Sequence, residues 1–125
     1  MRSALWEEPD IILVGEMRDF ETISLAITAA ETSHLALGTL HTSSASQTIN
    51  RIIDVFPTAQ QQQIRVHLSV SLIGFISQIL CKTTDKKRKL TAEILINNHA
   101  VSNLIRKSKS SQIYSQIQVG GKFGM

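Results

Sequence analysis

The run Asp10-Ile11-Ile12-Leu13-Val14-Gly15 constrains this chain most. Four apolar residues between Pro9 and Gly15 suit a strand buried on both faces, as in a parallel sheet. Asp19 then stands where an N-cap would, ahead of Ile23, Ala26, Ile27 and Ala30. That spacing places one apolar stripe on a helix. A second strand-like run, His34–His41, follows. Strand, helix and strand within about 30 residues make a βαβ unit with a right-handed crossover. The fold class expected is therefore α/β.

Downstream, Ser44 and Gln47 have the spacing of a capping box. The helix they open would carry Ile49, Ile52, Ile53 and Phe56 on its apolar face and stop at Pro57. Thr58 is expected to cap the next helix, which runs through Ile64, Leu68 and Leu72. Gly74 marks the change to a strand over Phe75–Lys82. A basic turn at Asp85–Lys87 returns the chain as Lys89–Ile96, in the manner of a hairpin. Short helices are expected over 99–106 and 109–118, then a loop-like tail.

Composition narrows the classes. With 125 residues, the chain has room for one domain or part of a larger one. The single cysteine, Cys81, excludes an internal disulfide framework and an all-cysteine zinc site, and is expected to be a buried, inert thiol. No apolar run approaches a membrane span, and the first residues lack a secretory pattern. A soluble cytoplasmic protein is expected. Charge is uneven: residues 1–81 hold four bases against eight acids, and residues 82–125 hold nine bases against two. The excess sits in Lys86-Lys87-Arg88-Lys89 and the tail, where a solvated turn explains it, so no nucleic acid is expected.

Two strand ends could carry chemistry. Glu16 follows the first strand and His41 ends the second, and parallel strands put both on one sheet edge. Ligands of open α/β sheets bind beyond such carboxyl ends. A carboxylate there can take a proton from water, and an imidazole can donate to a developing negative charge. Thr39, Thr42, Ser43 and Ser44 add donors. A strand-end Glu is more often a turn or salt-bridge residue than a catalyst. His34 belongs to the other end of its strand, and His67 and His99 suit structural or exposed positions. No G-x-S-x-G elbow, H-E-x-x-H pair or G-x-x-x-x-G-K-[ST] loop occurs.

Pro9–Asp19 resembles the Walker B signature of the type II/IV secretion ATPases, the hexameric motors of type II secretion and type IV pili. The resemblance continues through Glu21–Ala26 and Ala29–Thr32 to the family's His box at Ser33–Thr42. Ile52–Pro57, Gln61–Arg65 and Ile76–Gln78 fit as well. Ala100–Arg106 looks like the signature of the pilus-retraction, or twitching-motility, branch. The lone Cys81 also departs from the four-cysteine module usual in the secretion branch, whose ATPase is the alternative.

The resemblance implies a partial RecA-like P-loop NTPase core over 1–97 and the start of a helical region over 98–125. It implies ATP and Mg²⁺ as ligands, a hexamer, and contact with the platform protein of the pilus in the inner membrane. Glu16 would be the catalytic Walker B glutamate and His41 the sensor of the terminal phosphate. Arg18 and Asp19 would form the turn beside them, with Thr39 and Thr42 nearby. Asn103, Leu104, Ile105 and Arg106 would belong to the retraction surface. No metal ligand is assigned within the chain itself.

The sequence also departs from the family. The P-loop, the acidic box and a PAS-like domain all precede this Walker B in family members, and the chain starts nine residues before Asp10. Trp6 replaces an Arg, Ser33 a Gly, and Ser102 and Lys107 an Arg and a Glu. The reading is a section of a motor that does not hydrolyse ATP alone. It is expected to be poorly soluble or to self-associate, because the missing strand would leave edges and core surface uncovered. Docking to an intact motor subunit, or to its own missing half, is the alternative from the binding class.

Overall fold

The computed structural model describes residues 9–125; Trp6 lies outside them. The first unit is β1 (Ile11–Glu16), α1 (Phe20–Glu31) and β2 (Leu35–Thr39). β1 and β2 pair in parallel, Ile11 opposite Leu35 and Leu13 opposite Leu37. Asp19 caps α1, its Oδ1 accepting from the Thr22 N–H at 2.8 Å. The second strand is three residues shorter than the sequence suggests, because His34, Leu40 and His41 lie outside the pairing.

Next come α2 (Ala45–Asp54) and α3 (Thr58–Ser71), then the antiparallel hairpin of β3 (Gly74–Lys82) and β4 (Arg88–Ile96). The chain finishes with α4 (His99–Arg106), a 3-10 turn, α5 (Ile113–Val119) and a second 3-10 turn at Gly121–Phe123. Helix 109–118 is thus split, and the tail is turned rather than open. Ser44 caps α2 as expected, through Gln47 N–H. The Gln47 side chain accepts from Ser43, so the reciprocal half of the box is displaced by one residue. Thr58 is no cap. Pro57 precedes α3 with extended backbone, and Thr58 is already the first helical residue.

One core joins most elements. Ile49, Ile52 and Ile53 of α2 pack with Leu68, Leu95, Val101, Ile105 and Ile113. Polar clamps hold its rim. Asn97 donates to Ser69 and Leu72 carbonyls, Ser102 donates to the Ser69 carbonyl, and Ser110 donates to Asn50. Gly74 is needed where β3 meets β4, since a Cβ there would stand 2.5 Å from the Leu95 carbonyl oxygen. A smaller cluster joins Ile12 and Val14 to Ala26 and Ala29.

Two burial expectations fail. β1 is buried on one face only: Ile12 and Val14 are covered by α1, whereas Ile11 and Leu13 are 58% and 77% exposed. Among the described residues the second face of this sheet has no covering layer. Cys81 is exposed, because it lies on the outer half of the hairpin, beyond the helices. An apolar groove separates the β1–β2 pair from the hairpin. Its walls are consecutive residues of β2 and of the start of β3, and Ile23, Ile27, Ile52 and Leu68 form its floor. Among the described residues no helix is long and apolar enough to cross a membrane.

Candidate functional site

Parallel pairing carries Glu16 and His41 to the same end of the sheet. The register opposes Glu16 to Thr39, with an irregularity between Val14 and Glu16. Gly15 is the extra residue of this bulge, and such bulges re-aim the side chain that follows. The Thr39 hydroxyl fixes it by donating to the Gly15 carbonyl at 3.1 Å, and Met17 N–H donates to the Thr39 carbonyl at 2.9 Å. Gly38 leaves room for the next side chain, since a Cβ there would lie 2.7 Å from Met17 Sδ. Met17 in turn packs against both hydrophobic clusters, which anchors the residue after Glu16.

The carboxylate of Glu16 sits between two cationic or potentially cationic groups. Its Oε2 pairs with the Arg18 guanidinium. Its Oε1 lies 2.6 Å from His41 Nε2. Oε1 is enclosed there, with almost no accessible surface. Glu16 is thus ion-paired to Arg18 through one oxygen and set against the His41 imidazole through the other. The Arg18 hydrogen bond holds the Glu16 carboxyl below its ordinary value, despite opposing desolvation. Glu16 correspondingly raises Arg18. Glu16 is ionised at neutral pH, so it acts as an acceptor and orienter more than as a strong base.

The other residues of interest divide. Glu16, Arg18 and His41 line one open depression with Met17 and Leu40. Arg51, from the last turn of α2, lines it too, and the sequence reading overlooked it. The available signal was its place on the face of α2 opposite the buried Ile49 and Ile53. Asp19 serves the helix, and the Thr22 backbone N–H holds its carboxyl low. Thr42 turns away to α2, its hydroxyl 2.6 Å from that of the buried Thr48. The start of α2 is held in turn by Glu93, whose Oε1 accepts from Ala45 N–H at 2.8 Å. Asn103, Leu104, Ile105 and Arg106 lie on α4, outside this depression. Ile105 is fully buried, Leu104 packs on the core, and Asn103 and Arg106 are exposed. His34 and His67 are placed elsewhere; His67 pairs with Glu31 between α3 and α1.

One carboxylate amid two guanidinium groups and an imidazole suits the terminal, charged end of a phosphate ester. Among the described residues no three His, Cys, Asp or Glu side chains are grouped to hold a metal.

Residues 1–122 match the family described as type II/IV secretion system protein. The chain is 57% identical over its full length to the type IV pilus retraction ATPase PilT of Pseudomonas aeruginosa, covering 36% of that protein. It is 56% identical to a twitching motility protein of Neisseria gonorrhoeae, covering 34% of it. The crystal structure of the pilus retraction motor PilT with bound ADP superposes with a TM-score of 0.86 at 53% identity, over 94% of this chain and 34% of that one. The chain thus spans about a third of the length of these relatives. Its fold is a partial RecA-like α/β core. With the paired strand ends, the family match over nearly the whole chain and these identities, the chain belongs to the type II/IV secretion system protein family.

Proposed function

We propose that this chain is the Walker B and His-box section of a pilus-retraction ATPase, a hexameric motor of type IV pilus disassembly. The observation that carries the proposal is the carboxylate of Glu16 beside the imidazole of His41, at the ends of adjacent parallel strands. In this reading Glu16 orients the attacking water and accepts its proton late. His41 donates to the terminal phosphate. Arg18 keeps Glu16 ionised, and Arg51 offers a second guanidinium to the phosphate side. Mg-ATP supplies the phosphoryl group and the cation that neutralises it. The phosphate cradle belongs to a part of the motor outside this section, so the chain alone has no turnover. The assembled motor would work at the cytoplasmic face of the inner membrane, against the pilus platform protein.

The test is a graft. This chain replaces the matching third of the Pseudomonas relative, and Mg-ATP hydrolysis is measured on the purified oligomer. The graft should turn over ATP, and Glu16→Gln should cost on the order of a hundredfold or more. A correctly sized oligomer indifferent to Glu16→Gln would refute the assignment. So would turnover by the isolated chain that disappears in Glu16→Gln, since the isolated chain should have none.

A second reading, a docking module, is favoured by the groove between β2 and β3. Two strand edges facing over an apolar floor suit one added strand. Co-purification with the upstream portion of a relative supports docking; a monomer that ignores that portion counts against it.

A further inference from the structure

The β3–β4 hairpin outruns the helical layer. From Gln78 to Lys82 and from Arg88 to Ala92 every residue is exposed. Antiparallel register places Leu80 opposite Leu90 and Lys82 opposite Arg88. Opposed residues share a face, and residues two apart along a strand do as well. One face of the arm therefore carries an aliphatic pair, 61% and 53% exposed, followed outward by a cation pair. Lys86 and Lys87 complete it at the tip, where Lys86 takes a left-handed backbone (φ 62°). The only acid of the turn, Asp85, accepts from the Thr83 hydroxyl and lies 4.0 Å from Lys87. Among the described residues Lys82, Lys86 and Arg88 have no ion-pair partner.

We propose that this arm lies against an anionic lipid surface. Leu80 and Leu90 would enter the headgroup boundary, and Lys82, Lys86, Lys87 and Arg88 would meet the lipid phosphates. The order of groups argues for it. Aliphatic and cationic side chains alternate on one face, which suits a boundary where an apolar layer adjoins an anionic one. A nucleic-acid surface would use the same cations but gains from aromatic platforms for bases. The arm carries none between Gln78 and Ala92. The proposal is independent of the nucleotide site, since none of its residues lines that depression.

Vesicle flotation of the whole chain tests it. The chain should float with vesicles of phosphatidylcholine and phosphatidylserine, and not with phosphatidylcholine alone. Binding should weaken as salt rises. The triple variant Lys82→Gln, Lys86→Asn, Arg88→Gln should lower partition on the order of a hundredfold. The same charge removed elsewhere, by Lys107→Gln, Lys109→Gln and Lys122→Gln, should change it by less than about fivefold. Equal losses in the two triple variants would mean that net charge alone binds, and would overturn the proposal. Tighter binding to a single-stranded oligonucleotide than to the anionic vesicles at matched salt would overturn it too.

Discussion

Ile105→Ala separates structure from surface within one short segment. Asn103-Leu104-Ile105-Arg106 resembles a retraction signature, yet its members face different ways. Ile105 is 0% exposed and belongs to the core cluster with Ile49, Ile53, Val101 and Ile113. Truncation to Ala removes three carbons, a transfer loss of about 2.4 kcal/mol at about 0.8 per buried group. A cavity adds to this, because helices pinned by Asn97, Ser102 and Ser110 cannot close on the gap. The sum is about 3–4 kcal/mol. Urea unfolding followed by far-ultraviolet circular dichroism checks it. At about 1.5–2 kcal/mol per molar urea, the midpoint should fall by roughly 2 M. Asn103→Ala, on the exposed side, should move it by less than about 0.3 M. Equal small shifts in both variants would refute the placement of Ile105 in the core. An unchanged midpoint with a changed slope would instead assign the effect to the unfolded chain.

Three further outcomes are expected. Ser33 stands where the family customarily has Gly and takes a left-handed backbone (φ 69°). Ser33→Gly should stabilise by about 0.5–1 kcal/mol, the relieved strain exceeding the added chain entropy; an unchanged or lower urea midpoint would contradict this. The Asp19 carboxyl is lowered by its cap hydrogen bond, so its support of α1 is complete above the unfolded value near 3.8 and is lost as pH falls through the lower folded value. Asp19→Ala should therefore flatten the acid limb of the stability curve and leave its shape unaltered near neutrality, as pH-dependent urea titrations would reveal. Leu13→Lys with Leu37→Lys places charges on the uncovered sheet face, opposite one another in register. Light scattering should show less self-association than the parent chain; equal scattering would place the sticky surface elsewhere, the groove beside β3 being the next candidate.

Legibility followed the range of the interaction. Features set within a few residues could be read directly. Asp19 caps α1, Ser44 caps α2, and α4 spans the expected 99–106, because each depends on neighbours three or four positions away. The Glu16–His41 juxtaposition was also accessible, since a βαβ unit forces both strand ends to one edge. Features that depend on what covers a surface were not. An apolar strand implies burial only if a second layer exists. Ile11 and Leu13 carry the composition of a doubly covered strand without the cover, and Cys81 that of a core strand on a projecting arm. The same gap concealed Arg51. Its place at the depression depends on how α2 is seated, by the core packing of Ile49, Ile52 and Ile53 and by Glu93 holding the Ala45 amide from 48 positions away. The apolar excess of β1, β2 and the groove is therefore informative in itself. These residues have a composition suited to neighbours that the described elements do not supply, in a chain that spans about a third of its relatives' length.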